Sequence, residues 1–154
     1  MSDSGLVEIG AHTYASHYGG IANPQGNTEP AVANRLYDAK QGRYESEAEY
    51  RQRIEKDVAL ITQRITAATG KAPRVWVWPY GAAGGEALSI VRQHGYQMAM
   101  TLDDGLASVD ALDNVPRLLI SNNPSLESFA RRVVEVQETS AMRVMHVDLD
   151  YVYD

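Results

Sequence analysis

His12 and His17 are the residues whose type and setting are best suited to chemistry. They close the stretch His12-Thr13-Tyr14-Ala15-Ser16-His17, directly after the apolar run Leu6-Val7-Glu8-Ile9-Gly10-Ala11. That run is brief, mostly apolar and introduced by Gly5, which predicts a short buried strand over residues 6–11. Both imidazoles then stand where a strand runs out into a loop, the place where α/β folds usually keep functional side chains. At five residues apart they do not share a helical face, whose neighbours lie three or four apart. A strand end followed by a turn can still bring both onto one metal ion. Neutral imidazole suits zinc and similar divalent ions, and a catalytic site of that kind usually adds a carboxylate and leaves a position for water. The spacing alone also admits a plainer reading, two polar loop histidines with no ligand.

A second segment, Arg74-Val75-Trp76-Val77-Trp78-Pro79-Tyr80-Gly81, follows a long helical pattern and reads as a buried strand ending in a turn. Further on come Leu118-Leu119-Ile120-Ser121-Asn122-Asn123-Pro124-Ser125 and the closing Met145-His146-Val147-Asp148-Leu149-Asp150-Tyr151-Val152-Tyr153-Asp154. Taken in order, the His12…His17 and Trp78-Pro79-Tyr80-Gly81 segments resemble the second and third motifs of the polysaccharide deacetylases (carbohydrate esterase family four, the NodB-like fold). The extra residue between the histidines and the two later segments resemble one branch in particular, the periplasmic N-deacetylases of poly-β-1,6-N-acetylglucosamine, which help export biofilm polysaccharide. The resemblance runs over nearly the whole chain.

The resemblance implies a distorted (β/α)7 barrel, here as a partial barrel or open curved sheet, with mostly parallel strands and flanking helices. It implies metal-dependent hydrolytic N-deacetylation of an N-acetylglucosamine polysaccharide, in the periplasm or at the outer membrane. His12 and His17 would hold the divalent ion, zinc or else nickel, cobalt or iron. The oxyanion would take a backbone N–H from the Pro-Tyr-Gly turn, and this maps to Tyr80 because Pro79 has no N–H to give. Trp78, Pro79 and Tyr80 would line the sugar, although core or rim packing is the alternative for both aromatic rings. Many members place an arginine three residues before the tyrosine to orient the base. Val77 stands there in this chain, so Arg74 is the candidate replacement.

The family's first motif, a Thr-Phe-Asp-Asp-Gly-like strand end, supplies the general base and the third metal ligand upstream of the histidines. Only eleven residues precede His12, which leaves no room for it. The general-acid histidine of this branch is also expected upstream. Residues 1–142 are therefore expected to be the C-terminal part of a deacetylase domain, with 143–154 a strand or linker toward a further domain. The alternative is a non-catalytic truncated fragment with residual metal or carbohydrate binding. Thr101-Leu102-Asp103-Asp104-Gly105 spells almost the missing motif but lies too late in the chain. It reads first as a strand end closed by an Asp-Gly turn, with Asp103 a weak site candidate. His146 is a second weak candidate, matching either the family's late Leu-His-Asp-like motif or the strand that leads onward.

Composition fits a single globular piece of 154 residues, 44% hydrophobic and 22% charged. With a net charge of −6 and no Lys/Arg stripe, nucleic acid is not an expected partner. No apolar stretch is long enough to span a bilayer, and Met1-Ser2-Asp3-Ser4-Gly5 has no signal-peptide character. The absence of cysteine excludes thiolate catalysis, disulfides and Cys-type zinc sites.

The elements that must position these groups follow from capping and periodicity. Residues 18–45 read as a long irregular stretch rich in turn signals, either a loop at the site mouth or a surface insertion. Ser46 and Glu49 form a capping box, and Tyr50, Ile54, Val58, Ile61, Ile65 and Ala68 make an apolar stripe that ends at Gly70. A shorter helix is expected from about Gly85 to His94, with Leu88 and Val91 inward. Tyr96–Thr101 and Arg117–Ile120 read as strands, and Ser125 as the cap of a third helix with Leu126, Phe129, Val133 and Val136 inward. His94, in the last turn of its helix, is assigned no catalytic role. About five strands alternating with three helices predict a parallel sheet, and missing neighbours would leave an exposed edge prone to self-association.

Overall fold

The computed structural model describes residues 2–103, 105–120 and 125–139. The stretch expected to be irregular holds two small antiparallel hairpins. Gly19–Ile21 (β1) pairs with Thr28–Pro30 (β2), and Tyr37–Asp38 (β3) with Arg43–Tyr44 (β4). Asn23, whose side-chain oxygen accepts from the Asn27 N–H, closes the first turn. Asp38 closes the second by accepting from the N–H groups of Lys40 and Gln41. Strands of two or three residues have too little alternation to show a period, so only their turn residues were visible in the sequence.

Glu47–Thr69 (α1) is the longest element. Ser46 Oγ accepts from the Glu49 N–H while the Glu49 carboxylate accepts from the Ser46 N–H, the expected capping box. Gly70 ends the helix at φ 72°, a left-handed conformation that glycine adopts without steric cost. Tyr50, Ile54 and Val58 are buried, and Ile61 and Ile65 pack partly against them. Ala68 is exposed, so the stripe stops one turn early. Gly85–Gln93 (α2) buries Ala87, Ile90 and Val91, and His94 follows it, paired with Glu55 of α1 at 2.9 Å.

Val75–Val77 (β5) and Met98–Met100 (β6) form a parallel pair. Ala11 bridges to Trp76 on one side and Val115 to Met100 on the other, both in parallel sense. Four chain segments thus run side by side in one direction, as the α/β reading requires. Trp76 and Ala99 point to the helices and join the core, while Val75, Val77, Met98 and Met100 are half-buried on the other face.

Three expectations are corrected. Residues 6–11 are not a strand: only Ala11 pairs, and Leu6 is 91% exposed, because no neighbouring strand covers that run among the described residues. Residues 117–120 likewise form no strand, although the Arg117 N–H still donates to the Thr101 carbonyl. Leu126–Thr139 (α3) forms and Ser125 Oγ accepts from the Ser128 N–H, but Leu126, Phe129 and Val133 are exposed rather than inward. Amphipathic spacing marks a face that can be buried, not what covers it. His146 and the expected linker strand 143–154 lie outside the described residues.

The hairpins are tied to α1 by Arg53, which donates to the Glu45 carboxylate and to the carbonyls of Ala31 and Asn34. Tyr50 adds a hydroxyl bond to the Val32 carbonyl at 2.8 Å. Burial alone would raise the Glu45 pKa, but the Arg53 bonds, the Leu36 N–H and the Arg53 charge together hold it below the usual 4.5. A carboxylate depressed in the folded state contributes stability that is complete above its unfolded-state pKa and is lost as pH falls through the folded one. Urea denaturation across about pH 3–7 should show that acid limb flattened in Glu45→Gln. At neutral pH the variant should lose about 1–2 kcal/mol, short of the about 3–5 kcal/mol for breaking a fully buried pair.

Candidate active site

The four parallel segments deliver their carboxyl ends to one region, where ligands sit in open α/β sheets. His12 follows Ala11, the Trp78-Pro79-Tyr80-Gly81 turn follows β5, Thr101 to Asp103 follow β6, and Arg117 follows Val115. Ala11 donates to the Val75 carbonyl and accepts from the Val77 N–H, each at 2.8 Å, which sets His12 level with the end of β5.

His12 Nδ1 lies 2.7 Å from the Val77 carbonyl. A carbonyl only accepts, so Nδ1 carries the proton and Nε2 keeps the lone pair when the ring is neutral. Zinc-binding histidines are commonly oriented in this manner. The His12 and His17 ring centroids are 4.9 Å apart, and His17 stands 4.6 Å from the Tyr80 ring. Both histidines are exposed. This donor pair fits a divalent ion as two of its ligands. Among the described residues no group of three or more His, Cys, Asp or Glu that could hold a metal gathers.

The loop between the histidines is held from below. Asp57 of α1, 7% exposed, accepts from the N–H groups of Tyr14 and Ala15 and from the Ser16 hydroxyl. The sequence carried one signal for it: Asp57 sits in the apolar stripe beside Ile54, Val58 and Ile61, where a carboxylate needs a reason to be.

In the turn, Tyr80 adopts φ 56° and Gly81 φ 74°. Gly81 and Ala82 donate back to the carbonyls of Trp78 and Pro79, whereas the Tyr80 N–H meets no carbonyl among the described residues. A Cβ on Gly81 would lie 2.6 Å from Leu102 Cβ and 2.7 Å from its backbone nitrogen, so only glycine lets the β6 end pack against the turn. Tyr80 is 52% exposed. Trp78 and Pro79 are buried, with Trp78 packed edge-on against Trp76 at 5.7 Å. Of the three residues expected to line a sugar, only Tyr80 presents its side chain, because Trp78 points back into the core.

Arg74 does not join this group. It stands at the start of β5 and forms a two-bond pair with Glu8. The arginine at the turn is Arg117, absent from the sequence-based candidates, which donates to the Trp78 carbonyl at 2.8 Å and to the Thr101 carbonyl at 2.9 Å. Burial lowers its pKa from the usual value. No short-range pattern marks it, since its partners lie 16 and 39 residues away. Asp103 is exposed, its N–H donating to Thr101 Oγ1.

The sequence profile of the polysaccharide deacetylase family matches residues 1–99. This chain belongs to the polysaccharide deacetylase family. Over all 154 residues it is 48% identical to poly-beta-1,6-N-acetyl-D-glucosamine N-deacetylase from Escherichia coli K12, and it spans 23% of that relative's length. Among solved structures, a deacetylase domain from Bordetella bronchiseptica superposes with a TM-score of 0.72 at 38% identity, covering 77% of this chain and 46% of that one. A de-N-acetylase from Aggregatibacter actinomycetemcomitans gives 0.76 at 35% identity, covering 86% and 50%.

Two outcomes follow for this deacetylase-family turn. Gly81→Ala adds a left-handed penalty of about 1–2 kcal/mol and an overpacking cost of about 1–3 kcal/mol. Chemical denaturation should show that loss, with shifted NMR signals at Tyr80 and Leu102. Arg117→Met should cost less, about 1–2 kcal/mol, and should shift the amide signals of Pro79's neighbours while leaving those of α1 in place.

Proposed function

We propose that this chain carries the histidine half of a metal-dependent N-deacetylase site for N-acetylglucosamine polysaccharide, the poly-β-1,6-linked exopolysaccharide of biofilms. The observation that carries this reading is the gathering of His12, His17 and Tyr80 at the carboxyl ends of parallel segments. Family membership and the names of the relatives support the reaction class. We take the four parallel segments as one arc of the (β/α)7 barrel, with Val75, Val77, Met98 and Met100 on its inner side. Modification of a polymer during export fits a periplasmic or outer-membrane-associated protein. Among the described residues no helix is long and apolar enough to cross a membrane.

His12 and His17 would hold the ion, zinc or nickel, cobalt or iron, through two imidazole nitrogens. When bound, such an ion supplies Lewis acidity toward the acetamide carbonyl and the attacking water. Water adds to the carbonyl carbon, the C–N bond breaks, and the products are acetate and a free amine. The Tyr80 N–H is the donor for the oxygen that becomes negative, and its place in a fixed turn means little reorganisation as charge develops. The exposed Tyr80 ring offers a flat face to the sugar. In this family the base and the third ligand are a pair of carboxylates, and no such pair joins the histidines among the described residues; Asp103 and His146 are the in-chain candidates for a further role. The second reading, a fragment that binds metal or sugar without turnover, is favoured by the lack of a third ligand among the described residues.

Titration of the purified chain with zinc, nickel and cobalt, beside His12→Ala and His17→Ala, tests the site. Binding in the micromolar range or tighter, lost in both variants, is expected. No binding, or binding indifferent to both substitutions, overturns the metal assignment. Release of free amine from N-acetylglucosamine oligomers, abolished in His12→Ala, would support turnover by this chain; binding without release would support the second reading.

A further inference from the structure

The carboxylate of Asp57 is buried in the apolar stripe of α1, yet everything it binds belongs to the loop between the histidines. Its Oδ1 accepts from the Tyr14 N–H at 2.8 Å, and its Oδ2 accepts from the Ala15 N–H at 2.7 Å and the Ser16 hydroxyl at 2.9 Å. Thr13, just before these donors, is buried at φ 66°, a conformation that threonine adopts only when its surroundings impose it. Successive N–H groups after a left-handed residue form a concavity that binds an anion. Here the anion is part of the protein. Among the described residues no lysine or arginine pairs with Asp57, so the loop itself neutralises the charge.

An apolar side chain at position 57 would serve the core as well or better, since a carboxylate in that stripe must be desolvated. What it supplies is a fixed point around which residues 13–16 wind. The two ends of that winding are His12, pinned to the Val77 carbonyl, and His17, whose ring makes tilted contacts with both His12 and Tyr80. We infer that Asp57 is the positioning residue that sets the separation and mutual facing of His12 and His17 and touches neither. Its consequence for an ion rests on the metal reading given above; its consequence for the imidazole geometry does not.

The test compares Asp57→Asn and Ser16→Ala with Ile54→Val, which loosens the same helix without touching the loop. In the metal-free chain, NMR reads the contact between the His12 and His17 rings and the exchange protection of the Tyr14 and Ala15 amides. Cobalt titration then reads affinity and the visible spectrum of the bound ion. Expected in Asp57→Asn is a folded chain that loses amide protection and the ring contact, with cobalt affinity down about 10–100-fold, as for partners that orient metal ligands, and an altered spectrum. Ser16→Ala should show a smaller change of the same kind, and it decides the matter if Asp57→Asn does not fold. Ile54→Val should melt lower with ring contact, affinity and spectrum unchanged. Retention of the ring contact and of wild-type affinity in both loop variants would overturn the inference and leave Asp57 a purely structural residue. If the wild type itself takes up no cobalt, the metal reading fails, and the ring contact and amide protection alone decide the role of Asp57.

Discussion

The His12 segment and the Trp-Pro-Tyr-Gly turn both hang from the backbone of one three-residue strand, β5. β5 holds Ala11 through the Val75 carbonyl and the Val77 N–H, holds the His12 ring through the Val77 carbonyl, and continues its pairing through Trp78 to β6. A buried peptide group must find a partner, so these bonds are obligatory rather than decorative. The placement of the histidine segment against the turn is therefore a matter of ladder register. A shift of one residue would turn Trp76 out of the core and Val75 and Val77 into it, because successive side chains face opposite sides.

Around that strand the polar and apolar demands are met unevenly. Arg53 and Asp57, both on α1, satisfy backbone groups of loops that have no secondary structure to satisfy them, and Arg117 adds a bond to the Trp78 carbonyl from the segment after Val115. By contrast the indole nitrogens of Trp76 and Trp78 are buried without an acceptor among the described residues. A buried donor left unpaired costs about 1–3 kcal/mol. The bulk of the two rings, packed edge-on against each other with Trp76 also edge-on to Tyr96, offsets that cost by closing the core behind the turn.

What could be read from the sequence was local. The capping box at Ser46 and Glu49, the stop at Gly70 and the stripe of α1 depend on contacts within a few residues, and all three formed. The histidine pair and the Trp-Pro-Tyr-Gly turn were found as motifs, and their mutual approach came from resemblance rather than from spacing. The misplaced features depend on distant chain. Residues 6–11 have strand composition but only one paired residue, because strands exist through neighbours. Arg117 binds carbonyls that no periodicity connects to it. Trp78 looked equally suited to a sugar or to the core; the alternation Val75-Trp76-Val77 continues through its extended, paired backbone, which places its ring on the core face beside that of Trp76. Asp57 was legible in hindsight, as the one charged residue inside an apolar stripe.

The chain holds two tryptophans in all, and both lie in the strand-to-turn segment that carries the site, one inside β5 and one at its end. They are fully buried and in contact with each other, and Trp76 also meets Tyr96, which in turn bonds Thr62 of α1. The protein's tryptophan emission therefore originates from one place and not from an average over the fold. Its colour and intensity are a built-in optical gauge of the joint between β5, α1 and the turn, reading the scaffold of the site without any added label.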